Sequence, residues 1–400
     1  MTSRERVLAA IRHQEPDRAP IDLGAMGSTG IQAIGYSKLK VLLGIDEGQT
    51  RVYDTMQQLA VVEKPIFERF HLDVVSVSSG LGAESEAWKP WVLPDGSDAY
   101  VPVGFNPESD GAGGYVVKDS KGNVRMRAPE GCLYFEPAYH PLAQMTTASE
   151  LEDWNPRTLS DEYLDGLRVN AKFLSENTDY AILGGFGGNI LEAGQSLRGW
   201  GQFMMDMAAD PEFTHAMLDK LTALHLANLK RYLEAVGDYI QIIQMGDDLG
   251  TQSATQLSLA MYREYIKPRH KAIYQYVREH SDVAVFLHSC GSVYDLIPDF
   301  IDEGVQILNP VQTSAAKMDP RRLKEEFGDK LTFWGGGCDT QTLLPTATPA
   351  EVREHVRERM EIFKPGGGFI FNQIHNVQAD VPPENVVAML DAAYEFGAYE

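Results

Sequence analysis

Eight strand-length apolar runs, mostly separated by helical stretches, constrain this chain more than any other feature of its sequence. They cover residues 18–23, 72–77, 180–186, 239–245, 283–288, 306–308, 331–334 and 369–372. Runs that are apolar throughout belong to strands buried on both faces, and strands that alternate with helices pair in parallel. Eight such units predict an α/β fold of the (β/α)8 TIM barrel type; an open doubly wound sheet is the other arrangement the pattern allows. The stretch Gly184-Gly185-Phe186-Gly187-Gly188 lacks the G-x-G-x-x-G spacing of a dinucleotide site, and no G-x-x-x-x-G-K-[ST] occurs.

The chain has 400 residues, a length that barrels with insertions reach as one unit, so we read 1–400 as one barrel domain. The alternation breaks at about 87–139, between strands two and three. Turn signals at Asp95-Gly96, Gly113-Gly114 and Lys121-Gly122 separate short extended pieces there and predict a β-hairpin insertion, either a lid over the barrel mouth or a surface decoration. The first helix is expected to start at a Thr2 or Ser3 cap with Glu5 completing the box, and to stop at Pro16.

Charge narrows the partners. The chain carries 35 Lys plus Arg against 57 Asp plus Glu, a net charge of -22, whereas a nucleic-acid or anionic-membrane surface demands a basic face. Three cysteines, an odd number, argue against a disulfide framework. Charged residues stand near the N-terminus where a secretory leader places its apolar stretch, and no run approaches the roughly 18 apolar residues of a membrane span. A cytoplasmic, reducing compartment is expected, in which cysteines remain thiols open to metal or chemistry.

The chemistry concentrates at the ends of strands five and seven. Strand five ends Phe286-Leu287-His288-Ser289-Cys290-Gly291, and residues two apart on a strand face the same side, so His288 and Cys290 address one point. Strand seven ends Trp334-Gly335-Gly336-Gly337-Cys338-Asp339, and inward residues of alternate barrel strands share a layer, which brings Cys338 toward that point. Two thiolates and one imidazole make three zinc ligands with a fourth position open, the form of a catalytic site. The competing reading makes His288 a satisfied core histidine and the cysteines small buried hydrophobes; Cys132, in the insertion, is read as packing. Other polar residues fall at strand ends: Asp22, Asn189, Glu192, Asp247, Asp248, Asn309, Gln312, Gln373, His375 and Asn376. Each suits a helix cap or turn as well as substrate orientation or proton transfer. Of these, Asp248, Asn309 and His375 are the candidate catalytic residues.

At this point the sequence resembles the uroporphyrinogen decarboxylase-like superfamily, and within it the zinc-dependent, corrinoid-linked methyltransferases. The stretches that carry the resemblance run from Arg4-Glu5-Arg6-Val7-Leu8 and Pro16-Asp17-Arg18-Ala19-Pro20 to Val381-Pro382-Pro383-Glu384-Asn385. Between them lie Gly246-Asp247-Asp248-Leu249-Gly250, Lys267-Pro268-Arg269-His270, His288-Ser289-Cys290-Gly291 and Gly337-Cys338-Asp339-Thr340. The resemblance implies zinc held by His288, Cys290 and Cys338. It implies methyl exchange between a small molecule (a thiol, methanol or a methyl ether) and the cobalt of a corrinoid (cobalamin) cofactor, as in O-demethylation, and pairing into a homodimer. No D-x-H-x-x-G corrinoid motif is present, since Phe286 stands where the aspartate belongs before His288; the corrinoid is therefore expected on a separate partner protein. Uroporphyrinogen decarboxylases carry an N-terminal Arg-Gln-Ala-Gly-Arg stretch that grips substrate carboxylates. The comparable Leu23-Gly24-Ala25-Met26-Gly27-Ser28-Thr29-Gly30 has no arginine. Two alternatives stay open: a metal-independent decarboxylase using Asp247 or Asp248, and a non-catalytic corrinoid- or tetrapyrrole-binding protein.

Overall fold

The computed structural model describes residues 1–78, 81, 87–132 and 134–399. Seven strands form one parallel sheet in sequential order. They are strand two (Val74–Ser76), three (Ala181–Gly187), four (Ile242–Gly246), five (Ala284–His288), six (Ile307–Asn309), seven (Thr332–Trp334) and eight (Phe369–Ile370). The first predicted run closes the sheet into a barrel. Ile21 pairs in parallel with Phe371, Asp22 N donates to Phe371 O at 2.9 Å, and Asp73 N donates to Ile21 O at 2.8 Å. Each predicted run therefore supplies its barrel position, and the open-sheet arrangement is excluded.

Strand parity divides the core in two. Val74, Leu183, Ile242, Phe286, Ile307, Trp334 and Ile370 fill the barrel interior together with Val7 and Ala10 of the first helix, Ser3–Ile11. Val75, Ile182, Ile243, Leu287, Leu308 and Phe333 face outward into the larger core beneath the surrounding helices. The first helix begins with the expected capping box: Thr2 Oγ1 accepts from Glu5 N, and Thr2 N donates to Glu5 Oε2 at 2.9 Å. It ends at Ile11, well before Pro16, and His13 turns the chain with a φ of 55°. Arg4 N bonds Asp179 O and Gly368 N bonds Ala10 O, so this helix plugs the end where strands three and eight begin. The opposite, C-terminal end is left for ligands, as barrel architecture requires.

The insertion is larger than one hairpin. Trp88–Val92 pairs with Asp98–Pro102, and a separate four-stranded antiparallel sheet follows. It leans on the mouth. Phe135 N bonds Met56 O, and Tyr134 Oη donates to Gln378 Oε1 at 2.5 Å on the loop beyond strand eight. Cys132 is exposed there, not packed as expected. Among the described residues no helix is long and apolar enough to cross a membrane.

Candidate metal centre at the barrel mouth

His288 ends strand five two residues beyond the inward-facing Phe286, so its ring points into the barrel. The neighbouring strand ends are locked to it. Asp247 N donates to His288 O at 2.9 Å, and Ser289 N donates to Asn309 O at 2.7 Å. The loops after strands four and five touch backbone to backbone: a Cβ on Gly250 would lie 2.5 Å from Cys290 O, and one on Gly291, at φ +88°, 2.5 Å from Gly250 C. Only glycine permits that approach. It holds Asp248 and Cys290 side by side.

The ligand atoms of Asp248, His288 and Cys290 all lie within 4.8 Å of one another. His288 Nε2 stands 3.4 Å from Cys290 Sγ and 3.5 Å from Asp248 Oδ1, which also accepts from Cys290 N at 2.7 Å. The ring orientation follows from Asn309. Its Nδ2 donates to Trp334 O at 2.8 Å, which turns its amide oxygen toward His288 Nδ1, 2.7 Å away. Ser28 Oγ donates to that same oxygen at 3.1 Å. The oxygen can only accept, so Nδ1 carries a proton and Nε2 is the nitrogen turned toward the sulfur.

The electrostatics fit a cation. Burial opposes charge on the His288 ring, but Cys290 and Asp248 outweigh it and raise its pKa to about 10. Burial pushes the Cys290 thiol up. One nitrogen, one sulfur and one carboxylate oxygen thus converge on a common point, where a cation could take the place of the protons they hold. An imidazole nitrogen, a thiolate and a carboxylate are a zinc-type donor set, and Asn309 is the outer partner that orients the histidine.

The remaining candidates separate clearly. His375, on the loop after strand eight, is close enough to feel His288 and Asp248; burial first, then His288, lowers its pKa. Glu192 opens helix Leu191–Arg198 beside the site, and burial with repulsion from Asp247 and Asp248 pushes its carboxyl up to about 7. Asp247 is fully buried and spent: it accepts from Ile190 N, Leu191 N and Glu192 N at 2.7–3.0 Å and pairs with His270 Nε2 at 3.0 Å. Cys338 is not gathered with the triad. It belongs to the core between barrel and helices, with its Sγ 3.9 Å from Asp339 O and within electrostatic reach of Arg359. Strand parity does not carry across the turn before it, where Gly335 and Gly336 take φ values of 107° and 75°. Ser28 escaped sequence reasoning; its only signal is the Gly24–Gly30 loop following the first barrel run.

Comparison with known proteins agrees with this architecture. The family model for uroporphyrinogen decarboxylase (URO-D) matches residues 142–396. A uroporphyrinogen decarboxylase of Chromohalobacter salexigens is 26% identical over 273 residues, 66% of this chain and 73% of that protein. One from Vesicomyosocius okutanii is 27% identical over 191 residues, 47% of this chain and 50% of its own length. Among solved structures, a methyltransferase from Methanosarcina mazei shares the fold over 99% of both chains, with a TM-score of 0.62 at 18% identity. With the family match spanning more than half its length and the barrel closed as that fold requires, the chain belongs to the uroporphyrinogen decarboxylase (URO-D) family.

Proposed function

We propose that this chain is a zinc-dependent methyltransferase that moves a methyl group between a small molecule and the cobalt of a corrinoid carried by a separate protein. The observation that carries this reading is the convergence of His288 Nε2, Cys290 Sγ and the Asp248 carboxylate, with Asn309 holding the histidine in its metal-binding tautomer. His288 and Cys290 would hold the zinc with the Asp248 carboxylate beside them, and Cys338, which stands apart from them in this structure, would join as a further ligand through movement of the glycine turn that precedes it. Bound there, zinc supplies Lewis acidity that acidifies a thiol or alcohol, or makes an ether oxygen a better leaving group. The chain's own residues do the rest. Asn309 fixes the ring, Asp248 is held against Nε2 by the hydrogen bond it accepts from Cys290 N, and His375, kept neutral by burial and by His288, would serve as the base.

The fold shared with a methyltransferase over the whole chain is in keeping with this reading. A decarboxylase built on Asp247 has little to recommend it, because that carboxylate is fully buried and takes four hydrogen bonds. Metal analysis of the wild type and of Cys290→Ser, Cys338→Ser and Asp248→Asn tests the proposal, together with methyl exchange against methylcobalamin. About one zinc per chain is expected, lost from both cysteine variants. Zinc retained in both, or methyl exchange that survives chelation, would overturn it.

A further inference from the structure

The mouth holds a second compartment beside the metal donors, at the ends of strands two to four. It is a cavity of about 120 Å³ bounded by Tyr53, Val62, Phe67, Ser76, Gly185 and Gln244. It adjoins the triad. Gly27 on its wall precedes Ser28, which bonds Asn309, and Gln244 Nε2 lies 3.6 Å from where a Cβ on Gly246 would stand, itself 3.6 Å from His288 Cβ. The Tyr53 hydroxyl is buried without a hydrogen-bond partner. Buried hydroxyls find partners as a rule, so an orphan on a cavity wall marks a place for a ligand atom. Burial, with Asp54 and Asp22 nearby, pushes the phenol pKa up, so the group stays a donor.

The charge of the ligand can be read from the walls. Neither the described lining residues nor the sequence 79–86 that follows Ser78 contains a Lys, Arg or His. An anion would therefore enter uncompensated. The two carboxylates that act on Tyr53 are already engaged. Asp22 accepts from Ala25 N and Trp334 Nε1, and Asp54 from Met56 N, Gln57 N and Gln57 Nε2. Among the described lining residues no carboxylate is present to receive a cation. In size, a dry cavity of about 150 Å³ takes benzene, so this one, at about 120 Å³, admits about five non-hydrogen atoms.

We infer that this compartment binds a small uncharged alcohol or ether whose oxygen accepts from Tyr53 Oη. It rests on the proposed function in one respect: this molecule is the methyl compound exchanged at the neighbouring metal. Three probes of nearly equal size separate the charges: 2-methoxyethanol (neutral), methoxyacetate (anion) and 2-methoxyethylamine (cation). Ligand-observed NMR titration of the full chain would read their affinities, with zinc content measured on the same samples. The neutral probe is expected to bind about tenfold or more tightly than either ion. Tyr53→Phe should weaken it about fivefold to tenfold. Gly185→Ala should weaken it too, because the new methyl meets only Gln244 Oε1 at 3.5 Å and so fills the cavity without backbone conflict. An ion binding as well as the neutral probe, no binding by any probe, or unchanged binding in both folded variants would overturn the inference. Zinc absent with the neutral preference intact would sink the metal reading alone; zinc present without that preference would sink the compartment alone.

Discussion

Two clusters that each set an aspartate against a histidine lie on either side of strand four's end. Inside the mouth, Asp248, His288 and Cys290 converge with their acceptors turned on one another. Just outside, Asp247, His270, Glu303 and Tyr262 are buried in the helix layer. There His270 Nε2 bonds Asp247 Oδ2 at 3.0 Å, His270 Nδ1 lies 3.6 Å from Glu303 Oε2, and Tyr262 Oη donates to Glu303 Oε1 at 2.5 Å. Burial opposes charge on His270, yet its two carboxylate partners raise its pKa to about 9. The outer carboxylates have further donors from the surrounding elements: Asp247 caps a helix and Glu303 accepts from Tyr262. The inner cluster lacks such a cap and stands open to ligands. Residue type alone does not distinguish structure from chemistry here; access does, since the His270 and Asp247 side chains are fully buried while those of His288 and Asp248 stay partly exposed at the mouth.

Exchanging the two histidines for alanine tests that contrast most strongly. His288→Ala should abolish metal binding while changing the unfolding free energy by about 1 kcal/mol. His270→Ala should keep the metal but cost about 3–5 kcal/mol, because Asp247 and Glu303 are left buried without their cation. Metal content and denaturant titration of both proteins would read this, and equal loss of stability would erase the distinction.

A pH scan sharpens the contrast next, through a buried carboxyl inside the barrel. Burial raises the Asp22 pKa from 3.8 to about 7. The folded state then holds a proton that the unfolded state has released between about pH 4 and 7, so this group lowers stability as pH rises through that window and levels off above it. The contribution is on the order of 4 kcal/mol. Asp22→Asn should lose stability overall, since both oxygens accept hydrogen bonds, but its melting temperature should depend less on pH; an unchanged slope would refute the assignment.

Asn309→Ala probes the outer partner of the metal site. Without the amide oxygen the His288 tautomer is no longer fixed, and metal affinity should fall about 10–100-fold with stoichiometry retained at saturation. Competition with a chromogenic chelator measures it. The smallest effect is expected at Cys132, exposed on the insertion: Cys132→Ser should leave metal content unchanged and stability within about 0.5 kcal/mol.

Much of this was legible along the chain. The barrel was, because apolar runs of strand length report burial on both faces, and each predicted run took its place. The pairing of His288 with Cys290 was, because parity is a local property that the end of strand five preserves. The position of Cys338 was not, since parity cannot be carried through three glycines, two of them at positive φ.

By itself, then, the sequence determined the fold and the pool of chemical side chains at one end of it. Local periodicity encodes which face of a strand is buried, and that suffices to close a barrel. Only the tertiary structure decided between Asp247 and Asp248, adjacent residues with opposite environments, because the choice depends on helix Leu191–Arg198 and His270 arriving from elsewhere in the chain. It also brought Ser28 to Asn309 across 281 positions and left Tyr53 without a partner on a cavity wall. Which acceptors remain unsatisfied is settled when distant segments pack, and no local pattern records it.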